Sequence, residues 1–136
     1  MTFVDSGAWI ALYSLRDQHH AEAFAIFGSL EQQKARLLTT DYVIDETITR
    51  LRYDAGHAAA VVSLDAIEEA EKKNTVTVVA VDRSSFQESE GLFRQYSSEK
   101  LSFTDCTSFV VCKRYGISAA FAFDQHFPIM GISLLQ

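Results

Sequence analysis

The chain alternates between short apolar, β-prone runs and longer segments with helical spacing. Strand-like runs of apolar and β-branched residues lie at 2–5, 36–40, 75–81 and 117–123, and a shorter one at 132–136. Between them, apolar spacing predicts helices at 6–14, 20–34, 41–53, 57–73, 82–99 and 103–115. Strands that alternate with helices indicate βαβ units. We therefore predict an α/β fold with a parallel sheet covered on both faces.

Two segments carry specific predictions about burial. The stripe expected to face the core in the helix at 20–34 consists of Ala23, Phe24, Phe27 and Leu30. The run TVTVVAV at 75–81 is mostly β-branched, which is typical of a strand buried inside a parallel sheet.

Length and composition indicate an ordinary globular protein. The 136 residues are 48% hydrophobic and 22% charged, so we expect one domain spanning 1–136. The start MTFVDSG has no basic stretch ahead of an apolar run, which argues against a signal peptide or membrane anchor. Cys106 and Cys112 lie on different sides of one predicted helix and suit neither a disulfide nor a zinc pair. We expect reduced thiols and a cytoplasmic location.

The net charge limits the kinds of partner. A formal charge of −6 argues against a protein that binds nucleic acid through an overall basic surface. Carboxylates gathered to bind cations lower the formal charge, however, and the bound metal ions reverse the local field. A nucleic-acid substrate is therefore compatible with this charge only if the acids form a metal site.

Two acids follow predicted strands directly. Asp5 closes TFVD and Asp124 closes ISAAFAF, and ligands of open α/β sheets bind outside the carboxyl ends of the strands. Each acid has a simpler explanation as a turn residue or helix cap, because Asp is favoured at both positions. Two acids at equivalent strand ends strengthen the functional interpretation.

Two further acids lie on predicted helices. Ile44, Ile48 and Leu51 form one helical stripe, and Glu46 lies on the other side, which fits either a cleft or plain solvent exposure. Asp41 and Asp45 are neighbouring acids that the helical wheel does not distinguish from it. Asp105 opens the helix at 103–115, where the helix dipole favours an acid. In the same way, Ser6 and Thr104 are predicted N-caps of their helices, and Ser102 also lies within reach of this region.

Metal-assisted hydrolysis needs several oxygen ligands that converge. Mg²⁺ binds carboxylates and water, and two ions roughly 4 Å apart can hold the attacking and leaving oxygens of a phosphodiester. Acids from four separated segments would supply such ligands, although spacing alone does not show that they meet.

The chain resembles a known family, the PIN-domain nucleases, and within it the small VapC-type toxins of bacterial toxin–antitoxin pairs. The resemblance covers essentially the whole chain. It rests on FVDSGAWIAL, VIDETITRLR, LSFTDCTSFVVCKRYGI and AFAFDQHF, which occur in the family's order.

The resemblance implies a fold and a site. It implies a three-layer α/β/α sandwich with a mainly parallel five-stranded sheet, and a metal-dependent endoribonuclease that uses Mg²⁺ or Mn²⁺ and leaves a 3′-hydroxyl and a 5′-phosphate. The implied metal-binding acids are Asp5, Glu46, Asp105 and Asp124. Ser6 and Thr104 would order water or phosphate beside them. A small antitoxin partner and a homodimer are also implied.

Other polar residues have ordinary explanations beside the functional ones. His126 in FDQHF could assist a metal, but the adjacent Phe127 and nearby Phe123 favour aromatic packing or hydrogen bonding. His57 reads as a surface residue. Arg50 could contact phosphate, although basic residues on a helix usually form a solvated face.

The sequence is less consistent with three alternative functions. A phospho-acceptor receiver domain would have paired acids after the first strand and a lysine after the last, whereas Asp5 is followed by Ser6 and Gly7 and ISLLQ has no lysine. A catalytically idle member of the same family, which only binds RNA or protein, is disfavoured by the intact acids. Rossmann and P-loop nucleotide sites are excluded because neither GxGxxG nor GxxxxGK[ST] occurs.

Overall fold

The computed structural model describes all residues, 1–136, as a parallel sheet flanked by helices in three layers. The strands are β1 (Thr2–Val4), β2 (Leu37–Thr40), β3 (Val76–Val79), β4 (Ala119–Phe121) and β5 (Ser133–Leu134). The helices are α1 (Ser6–Tyr13), α2 (His20–Gln32), α3 (Asp41–Ala55), α4 (His57–Lys72), α5 (Arg83–Gln95), α6 (Phe103–Arg114) and α7 (His126–Ile129). The predicted fold class is confirmed, and α7 is the one helix that the periodicity did not predict.

The strand order places the beginning of the chain at the centre of the sheet. The order is β3-β2-β1-β4-β5 and all four pairings are parallel. Phe3 in β1 is in register with Leu38 on one side and Ala120 on the other. The connections run outward in opposite directions from β1, which opens a crevice at the carboxyl ends of β1 and β4.

The core is apolar on both faces of the central strands. Phe3 and Val4 of β1 alternate between the two faces, and both are completely buried, as is Phe121 of β4. Phe127 is also completely buried, and its ring lies against Phe3 and Phe109 with centroids 6.0 and 5.0 Å away. These contacts attach α7 to the sheet immediately after the end of β4.

The predicted stripe of α2 is partly wrong. Phe24 is 69% exposed, and the residues of α2 that are buried are Ala23, Ile26 and Leu30. A step of 100° per residue puts Phe24 a quarter turn away from Ala23, so a stripe centred on Ala23 and Leu30 directs Phe24 outward. The sequence pattern allowed either centre.

The prediction of a buried strand at 75–81 is also wrong. β3 lies at the edge of the sheet, pairs only with β2, and has Val76 as its one buried residue. A β-branched run fits a pleated surface whether or not both of its faces are covered.

No helix has the length and apolar character needed to cross a membrane.

Both cysteines lie buried in α6, and neither forms a disulfide. Burial raises the pKa of the Cys112 thiol to about 12, with the nearby Asp5 carboxylate as a smaller cause. A thiol that stays protonated at neutral pH has no nucleophilic character, so Cys112 acts as a small core residue.

Candidate metal centre

Asp5 lies at the centre of the crevice. It follows β1 directly and is the N-cap of α1, whereas Ser6, the predicted cap, is the first residue within the helix. The Asp5 amide donates to the carbonyl of Phe121 over 3.1 Å, which joins the ends of β1 and β4. The Asp5 side chain makes no capping hydrogen bond and is only 4% exposed. Its carboxylate is therefore buried but does not cap the helix.

Glu46 reaches the same region from α3. Its side chain is half-buried, while the buried face of α3 is formed by Val43, Thr47 and Leu51. The Ser6 hydroxyl donates a hydrogen bond to Glu46 Oε1 and so connects α1 to α3. This contact gives Ser6 a structural role in orienting one of the predicted acids.

Asp105 lies in the first turn of α6, held by a capping box. The N-cap is Ser102, not the predicted Thr104, because the Ser102 hydroxyl accepts from the Asp105 amide over 3.0 Å. Asp105 Oδ2 in turn accepts from the Ser102 amide, also over 3.0 Å. The capping box uses one carboxylate oxygen and leaves the other available. Thr104 lies within the first turn.

The four predicted acids interact electrostatically. Burial raises the pKa of Asp5 to about 7, assisted by the carboxylates of Asp105, Glu46 and Asp124, while the Ser6 amide acts in the opposite direction. Burial also raises the pKa of Asp105, with further contributions from Asp124 and Glu46, against hydrogen bonds from Ser102. No Lys or Arg side chain forms an ion pair with any of the four. The four acids therefore gather negative charge with no Lys or Arg to balance it, and the one basic side chain beside them is His126, next to Asp124.

The tightest group in the pocket includes a histidine. Asp105, Asp124 and His126 each direct one ligand atom to a region in which these atoms lie within 4.8 Å of one another. Asp5 and Glu46 lie outside this group. The backbone amide of His126 donates to Asp124 Oδ1 over 2.8 Å, whereas the predicted hydrogen-bonding role of its side chain stays a prediction. No aromatic ring stacks on His126, however. Its proximity to Asp105 could be suspected only from the Asp-x-His spacing after β4.

The remaining sequence candidates lie apart from this group. Arg50 is exposed on α3, one turn beyond Glu46, and makes no ion pair. Asp41 Oδ1 accepts from the amides of Tyr42 and Val81, which explains it structurally. Asp45 is exposed. Glu46 is therefore the acid of α3 that faces the pocket.

The donor set fits a divalent cation. Carboxylate oxygens and an imidazole nitrogen are ordinary ligands of divalent metals, and a cation would offset the burial and, to a smaller extent, the charge repulsion that raise the pKa of Asp5 and Asp105. A cavity of about 820 Å³ lies elsewhere, lined by α5, α6 and the segments just before β4 and β5, and none of the four acids lines it. Because the chemistry needs ligands rather than volume, the acidic pocket is the better candidate for the functional site.

Comparisons with known proteins agree with this geometry. The family model described as "PIN domain" matches residues 2–132. The 23S rRNA-specific endonuclease VapC20 of Mycobacterium tuberculosis (strain H37Rv) is 34% identical over 133 residues, covering 96% of this chain and 95% of that protein. A VapC ribonuclease of Archaeoglobus fulgidus is 39% identical over 51 residues, or 37% of this chain and 33% of that protein.

A solved structure is similar over nearly the full length. The crystal structure of Mycobacterium tuberculosis VapC20, described as a sarcin-ricin loop cleaving toxin, matches with a TM-score of 0.83 and 30% identity. The match covers 97% of this chain and 96% of that chain. The similarity therefore includes the central strands and the helices that carry the four acids.

Proposed function

Because this chain belongs to the PIN-domain family and is similar over almost its whole length to a VapC endonuclease, we propose that it is a metal-dependent endoribonuclease of the VapC type. The observation that carries the proposal is the cluster of four acids from separate segments, which have no Lys or Arg side chain paired to them and only His126 beside Asp124. Such an arrangement destabilises the metal-free fold and is explained by a cation that the protein binds.

The proposed ligands are Asp5, Glu46, Asp105 and Asp124, and the proposed ion is Mg²⁺ or Mn²⁺. When bound, a divalent ion lowers the pKa of water and offsets charge on the phosphoryl oxygens. The chain's own contribution is orientation. Ser6 holds Glu46, Ser102 holds Asp105, and the burial of Asp5 excludes solvent from one side of its carboxylate. Ser6, Thr104 and Arg50 are proposed to contact substrate phosphate or its water.

The proposed substrate is a loop in structured RNA. VapC20 is named for 23S rRNA and described as cleaving the sarcin-ricin loop. Unstacked loop bases can be splayed out and recognised individually, whereas the deep major groove of an RNA helix is closed to side chains. The net charge of −6 limits general attraction to phosphate, which favours a substrate selected by shape at the metal site.

Partners are proposed on the same basis. VapC-type toxins pair with small antitoxins, so we expect a small protein that blocks the acidic pocket, in addition to a homodimer of this chain in the cytoplasm. Co-purification of this chain with the product of a neighbouring small reading frame would test the first expectation. A chain whose production leaves bacterial growth unchanged in the absence of that product would contradict it.

The test of the enzymatic proposal is cleavage of an RNA hairpin by the purified chain. Mg²⁺ or Mn²⁺ should support product formation and EDTA should abolish it. Asp105→Asn should be inactive, and Asp45→Asn, which changes an exposed acid next to Glu46, should behave as the parent. Equal cleavage in EDTA, or equal activity of Asp105→Asn, would contradict the proposal. RNA binding without cleavage by the metal-loaded parent would favour the catalytically idle alternative.

A further inference from the structure

We infer that His126 supplies a nitrogen ligand to the ion held by Asp105 and Asp124, so that the centre is a mixed nitrogen and oxygen site rather than one made of carboxylates alone. The inference rests on the proposed metal site and adds to it a ligand, and with that ligand a metal preference. Four features of the residues around His126 support it.

The first feature is distance. His126 Nδ1 lies 2.7 Å from Asp124 Oδ1. Ligand atoms that bind one octahedral ion at about 2.1 Å lie about 3 Å apart when they are adjacent. The same ligand group brings in Asp105, with all three donor atoms within 4.8 Å of one another. The three side chains are therefore close enough to bind one ion with small rotations.

The second feature is an unsatisfied buried atom. Nδ1 of His126 is shielded from solvent and forms no hydrogen bond, although it lies 2.7 Å from Asp124 Oδ1. That oxygen already accepts from the His126 amide over 2.8 Å. A buried polar atom without a partner indicates a missing water or ion, and here the atom lies beside the Asp124 carboxylate.

The third feature concerns the other ring nitrogen. Nε2 of His126 lies 3.6 Å from Glu99 Oε2, slightly beyond hydrogen-bond length. Histidines that bind metals almost always present their second nitrogen to a carboxylate or carbonyl, which selects the tautomer and orients the ring. Glu99 occupies that position. His126 thus has carboxylates on both sides, one set around the ion and one behind the ring.

The fourth feature is rigidity. The turn after β4 is held by the Asp124 side chain and by the Phe127 amide, which donates to the Asp124 carbonyl over 3.3 Å. Phe127 itself is completely buried against Phe3 and Phe109. The backbone of His126 is therefore positioned by its neighbours on both sides, as a preorganised ligand requires.

The expected consequence is a preference among metals. Imidazole binds later first-row ions more readily than Mg²⁺, which prefers oxygen ligands. The parent should therefore bind Mn²⁺ more tightly than Mg²⁺. His126→Gln should weaken Mn²⁺ binding by about 10-fold or more and change Mg²⁺ binding much less. His126→Asp, which replaces nitrogen by oxygen, should move the preference toward Mg²⁺.

The decisive measurement is pulsed electron paramagnetic resonance of Mn²⁺ bound to the full chain. The parent should show nitrogen coupling that changes when the protein is labelled with ¹⁵N-histidine. His126→Gln should lose the coupling, and His57→Gln, which alters a surface histidine beside Arg52, should keep it. The experiment on the parent needs no variant, so the inference remains testable even if His126→Gln folds poorly.

The outcomes separate this inference from the proposed function. Mn²⁺ binding that Asp105→Asn abolishes, but without nitrogen coupling in the parent, would overturn the role of His126 and leave the acidic site intact; His126 would then only position Asp124. An unchanged ratio of Mn²⁺ to Mg²⁺ affinity in a folded His126→Gln would also overturn it. Absence of Mn²⁺ binding to the parent would overturn both the inference and the proposed metal site.

Discussion

The carboxylates near the two ends of α6 lie in opposite electrostatic environments. At the C-terminal end, Arg114 contacts Asp82 over 3.7 Å and Glu88 over 3.1 Å, and hydrogen bonds from Ser85 lower the pKa of Asp82, with Arg114 as a smaller cause. At the N-terminal end, Asp105 and the acids around it have no Lys or Arg partner, and burial raises the pKa of Asp105. The acids near the C-terminal end of α6 thus have a cationic partner that stabilises them, whereas the acids near its N-terminal end repel one another.

The difference separates structural acids from functional ones. A carboxylate that serves the fold receives hydrogen bonds or a cation in return for its desolvation. Asp5, buried among like charges, receives only the Ser6 amide and still has its pKa raised to about 7. The free-energy cost of burying such a carboxylate can be offset by a bound cation, and raised pKa values are common at functional sites for this reason. Four predictions test the contrast.

The largest expected effect is on catalysis at the N-terminal end of α6. Asp105→Asn should lower the rate of RNA cleavage by about 1000-fold or more, because ion binding contributes several kcal/mol to the transition state. Asp82→Asn at the other end keeps an N-cap and should cleave at the parent rate. Single-turnover cleavage of one hairpin by both variants provides the measurement, and equal losses would remove the distinction.

The second prediction concerns stability without metal. The pKa of Asp5 rises from 3.8, its ordinary value, to about 7 in the fold, so between these values the native state binds more protons than the unfolded state. The free energy of unfolding in EDTA should therefore fall as pH rises from 4 to 7, by up to about 4 kcal/mol. Denaturant titrations at both pH values measure this fall.

Asp5→Asn is the matched variant for that measurement. It should remove most of the pH dependence and melt no lower than the parent at pH 7 in EDTA. The lowered pKa of Asp82 has the opposite sign: its contribution is present at neutral pH and disappears as pH falls below 3.8. A destabilised Asp5→Asn, beside a parent whose melting temperature ignores Mg²⁺, would identify Asp5 as an ordinary structural acid.

The third prediction concerns the orientation of Glu46. Ser6→Ala removes the hydroxyl that donates to Glu46 and should lower the cleavage rate by about 10-fold, since outer contacts to metal ligands are worth roughly that much. Ser84→Ala removes a comparable hydroxyl beside Arg114 and should leave cleavage unchanged. A Ser6→Ala enzyme with parental kinetics would show that Glu46 needs no positioning.

The smallest effect is expected at Arg114. Its contacts with Asp82 and Glu88 are partly solvated, so Arg114→Met should lower the free energy of unfolding by no more than about 1 kcal/mol. Cleavage should not change. Urea titration and the hairpin assay check the two halves of this prediction, and a loss of activity would connect the C-terminal end of α6 to catalysis.

Much of this architecture could be predicted because periodicity and strand-end chemistry are local signals. The alternation of strands and helices is confirmed, and Asp5 directly follows β1 while Glu46 and Asp105 lie on helices, as predicted; their role as metal ligands stays a prediction. The predictions that Phe24 and β3 are buried were wrong. Burial of a helix or strand face depends on which neighbouring element covers it, and the local pattern does not encode that. Ser102 replaced Thr104 as the cap of α6 because a cap is decided by backbone angles that residue preference alone does not encode.

His126 shows the limit most clearly. Its neighbours in the chain, Phe123 and Phe127, suggested aromatic packing, yet its relevant contacts are Asp124, two residues before it, and Glu99 and Asp105, which are distant in sequence. The residue type alone does not show whether a histidine packs against other rings, donates a hydrogen bond or binds a metal. Only the three-dimensional arrangement distinguishes these roles.

The strand order also determines when the site can exist during synthesis. β1 is made first, but its second neighbour in the sheet is β4, and Phe3 cannot pair with Ala120 until that strand has been translated. Such long-range pairing makes folding slow to complete. Asp124 is made later still. A nascent chain that stops before β4 therefore carries Asp5, Glu46 and Asp105 without the strand and the acid that complete the proposed metal site, so this site stays unassembled until late in the production of the chain.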